Sequence, residues 1–211
     1  MTLSKLCKRL LASAMLALAL TASAVHDANA SVEKQNIVQL IANSQSIVAG
    51  TVNKVTDGID ANGLPYTEIT IQVGISPKGG IGQGAYTFRQ FGLIKPRILP
   101  NGQRMLMVTP AEFPQWHENE YVLAFLYHPA AKTGLQTTAG LAQGKLVMVN
   151  GKLANRFENA GLFDNVKVVD GALPATERKL FESRGPVEAK TLMSLINHIV
   201  QGQLIEKGKV K

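Results

Sequence analysis

The chain has 211 residues, of which 45% are hydrophobic and 18% charged, with a formal net charge of +7 and a single cysteine, Cys7. One cysteine excludes an internal disulfide framework and a thiolate zinc site. The cationic excess is modest and spread along the chain; alone it implies a weak attraction to anionic polymers and does not argue for nucleic-acid binding.

Residues 1–30 read as a cleavable secretory signal. Lys5, Lys8 and Arg9 precede an apolar run at residues 10–20, and two small-x-small ends follow, Ala22-Ser23-Ala24 and Ala28-Asn29-Ala30. The run is about 11 residues, short of the roughly 20 that a membrane span needs. Cleavage is expected after Ala30. Cys7 lies ahead of the run, where a lipid-modified cysteine does not sit, and leaves with the signal. The rest, residues 31–211, is expected to form one β-rich domain, periplasmic or secreted, with no segment apolar enough to cross a bilayer. Its formal charge is +5 once Lys5, Lys8, Arg9 and Asp27 are gone. A domain of that size buries roughly 70% of the surface its unfolded chain exposes, so a hydrophobic core suffices for stability.

Residues 31–44 place Ile37, Val38, Leu40 and Ile41 on one helical arc, which predicts a short amphipathic helix. Residues 46–56 are β-branched and predict a strand, closed by the turn residues Asp57, Gly58, Asn62 and Gly63. Residues 66–75 alternate, with Thr67, Ile69, Ile71, Val73 and Ile75 on one face, as in an antiparallel strand packed on one side. Further strands are expected at 85–91, 104–108 and 121–128. The last of these is apolar on both faces, Leu123 and Phe125 against Val122, Ala124 and Leu126, and belongs in the centre of a sheet. Asn150-Gly151 between 145–149 and 152–155 predicts a tight hairpin, because both turn positions want positive φ. Residues 157–169 are read as irregular strand, and 187–200, between Pro186 and Gly202, as a packed C-terminal helix ending near residue 201.

Short strands without strand and helix alternation imply a mainly β fold. A small antiparallel Greek-key barrel of OB type, flanked by an N-terminal and a C-terminal helix, is preferred over a sandwich. Several segments, Ser46-Ile47-Val48-Ala49-Gly50-Thr51-Val52, Tyr66-Thr67-Glu68-Ile69-Thr70-Ile71-Gln72-Val73, Lys78-Gly79, Phe88-Arg89-Gln90-Phe91-Gly92 and Glu120-Tyr121-Val122-Leu123-Ala124-Phe125-Leu126, together resemble a widespread group of uncharacterised exported bacterial proteins. The resemblance covers roughly residues 46–151. It implies export and a small barrel-like domain, and it brings no catalytic residues. The group is usually Gly-rich between its third and fifth strands, whereas residues 93–103 here are basic and contain proline.

No motif assigns a reaction, a cofactor or a metal. The glycines of residues 79–84 are followed by a strand and not by the helix and Lys-Ser/Thr of a phosphate loop, so no nucleotide is expected. His117, His128 and His198 have no metal-binding spacing, and Asp57, Asp60 and Asn62 lack the alternation and distal Glu of a calcium loop. No Gly-x-Ser-x-Gly elbow is present. Two functional expectations follow. The first is a non-enzymatic binding or accessory domain of the bacterial envelope, recognising a protein or an anionic polymer through Arg89, Phe91, Lys95, Arg97 and Arg104, where aromatics interleave with cations. The alternative is an envelope hydrolase using His117 with Glu118 or Glu120. The sequence assigns no oligomeric state.

Overall fold

The computed structural model describes residues 33–211; the predicted secretory signal over residues 1–30 lies outside the described residues. Helix α1 (Ile37–Asn43) starts later than residue 31 because Asn36 caps it. The Asn36 side chain accepts from the Gln39 N–H at 3.0 Å, and the Gln39 side chain accepts from the Asn36 N–H at 2.8 Å. The four apolar residues predicted for one arc are all buried.

Strands β1 (Ser46–Ile59), β2 (Pro65–Lys78) and β3 (Gly84–Phe91) form an antiparallel meander. β1 runs past its predicted end because Asp57 and Gly58 pair with Thr67 and Tyr66. The turn is made instead by Asp60, whose carboxylate accepts the N–H groups of Asn62 and Leu64 at 2.8 Å each. The alternation of β2 breaks at Ile75, which is 52% exposed. There β2 carries one extra residue, Gly74, between the pairs Gly50↔Val73 and Ala49↔Ile75, and such a bulge re-aims the side chains that follow.

Residues 93–109 project as a hairpin with two very short strands, β4 (Arg97–Ile98) and β5 (Arg104–Met105), paired only with each other. The strand predicted at 104–108 is therefore two residues long and stands outside the main sheet. β6 (Tyr121–Leu126), β7 (Lys145–Val149) and β8 (Lys152–Asn155) follow. Asn150 and Gly151 both take positive φ, 50° and 78°, as the turn requires. The irregular strand expected at 157–169 is turn and coil apart from one bridge, Val168↔Val210. A short helix α2 (Ala175–Arg178) precedes β9 (Val187–Glu188) and the C-terminal helix α3 (Ala189–Gln201). Val187 and Glu188, expected to open that helix, instead add a strand beside β8.

The main sheet has the order β3-β2-β1-β6-β7-β8-β9, antiparallel throughout, with β6 in the middle as its two apolar faces require. One face of the sheet packs Ile47, Leu123 and Phe125 against α1 and against Leu192, Leu195 and Ile199 of α3. The opposite face gathers Val48, Val52, Ile69, Ile71, Phe88 and Trp116. Each such side chain contributes about 1.5–3 kcal/mol on burial.

The fold is mainly β, as expected, but the sheet is open and not a closed barrel. The β7-β8 hairpin extends the sheet beyond β6 and does not return to β3. At the β3 edge one backbone hydrogen bond, Gln136 N–H to the Arg89 carbonyl at 2.7 Å, stands where a barrel would have a ladder. A sandwich does not form either, because outside the main sheet the described residues hold only the β4-β5 ribbon.

Candidate interaction surface

The hairpin of residues 93–109 has a firmly held base. Gly92 takes φ 97°, and a side chain there would place a Cβ 2.4 Å from the Thr109 nitrogen, so only glycine fits the close approach. The Gly92 N–H donates to the Pro65 carbonyl at 3.0 Å, and the Thr67 hydroxyl donates to the Gly92 carbonyl at 2.7 Å. Leu93 is fully buried, and its N–H and carbonyl bond to Met107 and Thr109 at 3.0 and 2.8 Å. Asp57 ties the first limb: its carboxylate accepts the Ile94 N–H at 2.9 Å and pairs with the Arg97 guanidinium.

Above that base the side chains are solvated. Nine large hydrophobic residues are exposed among the described residues, and five of them, Ile94, Ile98, Leu106, Met107 and Val108, lie on this hairpin, with Ile98 and Leu106 at 68% and 65%. The same stretch carries Lys95, Arg97 and Arg104 and no acidic residue. Cross-strand partners share a face and neighbours alternate. The pairs Arg97↔Met105 and Ile98↔Arg104 therefore put a cation beside an apolar side chain on each face of the ribbon.

The predicted binding residues divide between β3 and the hairpin of residues 93–109. Arg89 and Phe91 belong to β3 in the main sheet. Arg89 sits opposite Glu68, with its Nε 2.7 Å from the carboxylate and its guanidinium 4.2 Å from the centre of the Tyr66 ring. Phe91 is half-buried beside Tyr66. Arg97 is engaged by Asp57, whereas Lys95 and Arg104 have no ion-pair partner among the described residues. The apolar half of the surface is what composition did not reveal.

His117 and Glu120 do meet: His117 Nδ1 lies 2.9 Å from Glu120 Oε1, while the other carboxylate oxygen pairs with Lys145. Glu118 is engaged elsewhere, accepting the Val55 N–H at 3.0 Å. The Lys145 ammonium also donates to the Gln115 carbonyl and lies 5.1 Å from the centre of the Trp116 ring. Trp116 in turn donates to Gln90 at 3.1 Å and packs edge-on against Phe88. Burial pushes the Lys145 pKa down, beyond what pairing with Glu120 restores. Burial raises that of Glu120, but the Lys145 and His117 contacts more than reverse it and hold the carboxyl below its usual range. The pair thus favours the charged form of Glu120 while the charged form of Lys145 stays disfavoured, because Lys145 is the more deeply buried partner. This cluster straps the segment before β6 onto the sheet. A mostly apolar pocket of about 480 Å³ adjoins Lys145, lined also by Pro114, Val147, Ala154 and Arg156. The His117 side chain is 70% exposed and does not line it.

His198, on α3, bonds through Nδ1 to the buried Glu177 carboxylate at 2.7 and 2.8 Å, and the Ser194 hydroxyl donates to the same group at 2.7 Å. No group of His, Cys, Asp or Glu suited to a metal ion occurs among the described residues.

No protein-family model matches the chain, and neither the curated proteins nor the solved structures contain a match to it. The resemblance to exported bacterial proteins rests on the quoted segments alone.

Proposed function

We propose that this chain is a non-catalytic binding module of the bacterial envelope, exported by the signal over residues 1–30, that contacts a protein or an anionic polymer through the hairpin of residues 93–109. The observation that carries this reading is the concentration there of five exposed aliphatic side chains with three cations. Exposed apolar patches of this kind mark interaction sites. Lys95 and Arg104 supply the charge available to a partner, and Arg97 holds the limb in place. The test is a crosslinking pull-down from the native envelope with the wild-type chain and a Lys95→Glu/Arg104→Glu variant. A partner recovered by the wild type and lost from the variant supports the reading, and equal recovery removes the hairpin as the contact.

The run β6-β1-β2-β3 is read here as a Greek key of the OB kind, opened along one side. Its support is the order itself, three strands in a meander with a later strand returning beside the first.

The hydrogen bond between His117 and Glu120 favours a second reading, a hydrolase in which Glu120 orients His117 as general base. Activity on a panel of peptides, glycans and esters that disappears in His117→Ala would establish it.

A further inference from the structure

We infer that the hairpin of residues 93–109 docks on the surface of an anionic lipid bilayer, an assignment that rests on the binding-module reading above for the contact surface and puts a bilayer in place of a protein or polymer as the partner. Three observations select a bilayer over a folded protein. The first is charge: Lys95 and Arg104 have no ion-pair partner among the described residues, Arg97 is paired with Asp57, and the stretch itself carries no acidic residue, so its available charge is positive and complementary to a negative surface.

The second is the distribution of those cations. Arg97 with Met105 on one face, and Ile98 with Arg104 on the other, leave neither face purely apolar or purely charged. A protein groove would have to wrap both faces with matched acidic and apolar contacts. The boundary between headgroups and acyl chains offers both around an inserted ribbon at one depth.

The third is the backbone. The N–H groups of Leu93, Ile94 and Leu99 already donate within the chain, to Met107, Asp57 and Gln103, and Pro96 and Pro100 have none. On the first limb only Lys95, Arg97 and Ile98 have amides outside these bonds, which limits what a protein strand adding at its edge could pair with. The same economy of free donors lowers the cost of leaving water. The ribbon lies shallow, because Asn101, Gly102 and Gln103 at its tip are polar and solvated. No described helix is long and apolar enough to cross a membrane, so the contact is peripheral in the part of the chain described.

The test uses the full chain carrying Cys7→Ser and one new cysteine bearing an environment-sensitive fluorophore, at Ile98 or, as a control of similar exposure, at Val149. Vesicles of phosphatidylcholine, with and without phosphatidylglycerol, are titrated in. The Ile98 label should shift to the blue with anionic vesicles and much less with zwitterionic ones, while the Val149 label stays unchanged. Replacing Lys95 and Arg104 with glutamine should raise the lipid concentration at the midpoint about five-fold for each cation lost, and added salt should do the same. A label at Ile98 that ignores anionic vesicles, or that responds no more than the label at Val149, overturns the bilayer assignment. If the Lys95→Glu/Arg104→Glu variant then still loses a protein crosslink, the bilayer proposal fails and the binding-module reading stands; if no crosslink depends on the hairpin, both fail.

Discussion

Asp57 and Arg97 form an ion pair across forty positions of sequence, and the same carboxylate accepts the Ile94 amide. One side chain at the end of β1 thus fixes the direction in which the exposed hairpin leaves the body. Asp57→Ala should leave global stability within about 1 kcal/mol, since Arg97 remains partly solvated. Trypsin cleavage after Arg97 and Arg104 should accelerate, because the limb loses both of its ties to Asp57. Unchanged cleavage would mean that the base clamp at Gly92 and Leu93 holds the hairpin unaided.

Glu120 and Lys145 are coupled more tightly. Glu120→Ala leaves the Lys145 ammonium buried with a carbonyl and an aromatic ring as its remaining partners, and should cost about 2–4 kcal/mol in urea denaturation. Replacing both, Glu120→Leu with Lys145→Met, should recover most of that loss, because the apolar pair needs no charge taken from water. A double variant as unstable as the single one would show that the ion pair itself is required.

The depressed pKa of Glu120 sets an acid dependence. A carboxyl whose folded pKa lies below its unfolded value, about 4.3 for Glu, contributes stability that is fully present above that value and lost as pH falls through the folded one. Urea midpoints of the wild type should therefore fall between mildly acidic and strongly acidic pH more steeply than those of Glu120→Gln. At the alkaline end the depressed Lys145 pKa makes stability rise with pH in the window between its folded value and the ordinary lysine value. Parallel acid profiles for the two proteins would contradict the assigned role of Glu120.

Gly50 occupies the tightest point of the β1-β2 ladder, where a Cβ would lie 2.1 Å from the Gln72 carbonyl oxygen. Gly50→Ala should therefore cost about 3 kcal/mol or prevent folding, since the obstacle is backbone and cannot rotate away. Gly74→Ala is the control. A Cβ there meets only the Ala49 oxygen, at 3.9 Å, and the change should be far milder.

Much of the fold was legible because local chemistry and burial agree. Ile37, Val38, Leu40 and Ile41 fall on one arc and are buried; Asn150-Gly151 has the two positive φ angles its turn needs; β6 is apolar on both faces and lies in the middle of the sheet. What failed depended on distant partners. Leu106, Met107 and Val108 have the composition of a core strand, and only the three-dimensional path reveals that nothing described covers them. Ile75 continues a clean alternation, and the bulge that turns it outward is set by pairing with β1. Lys145 resembles any solvated residue at a strand start, yet its carboxylate partner lies twenty-five positions away. The ion pairs that engage Arg89 with Glu68 and Arg97 with Asp57 likewise have no local signature.

The central claim is that the hairpin of residues 93–109 is the contact surface. The most direct test places a photo-crosslinking amino acid at Ile98 or at Val149, which are 68% and 64% exposed, in chains expressed in the native cell. Adducts formed from position 98 and absent from position 149 are the expected result. Adducts from both alike, or from position 149 alone, would contradict it.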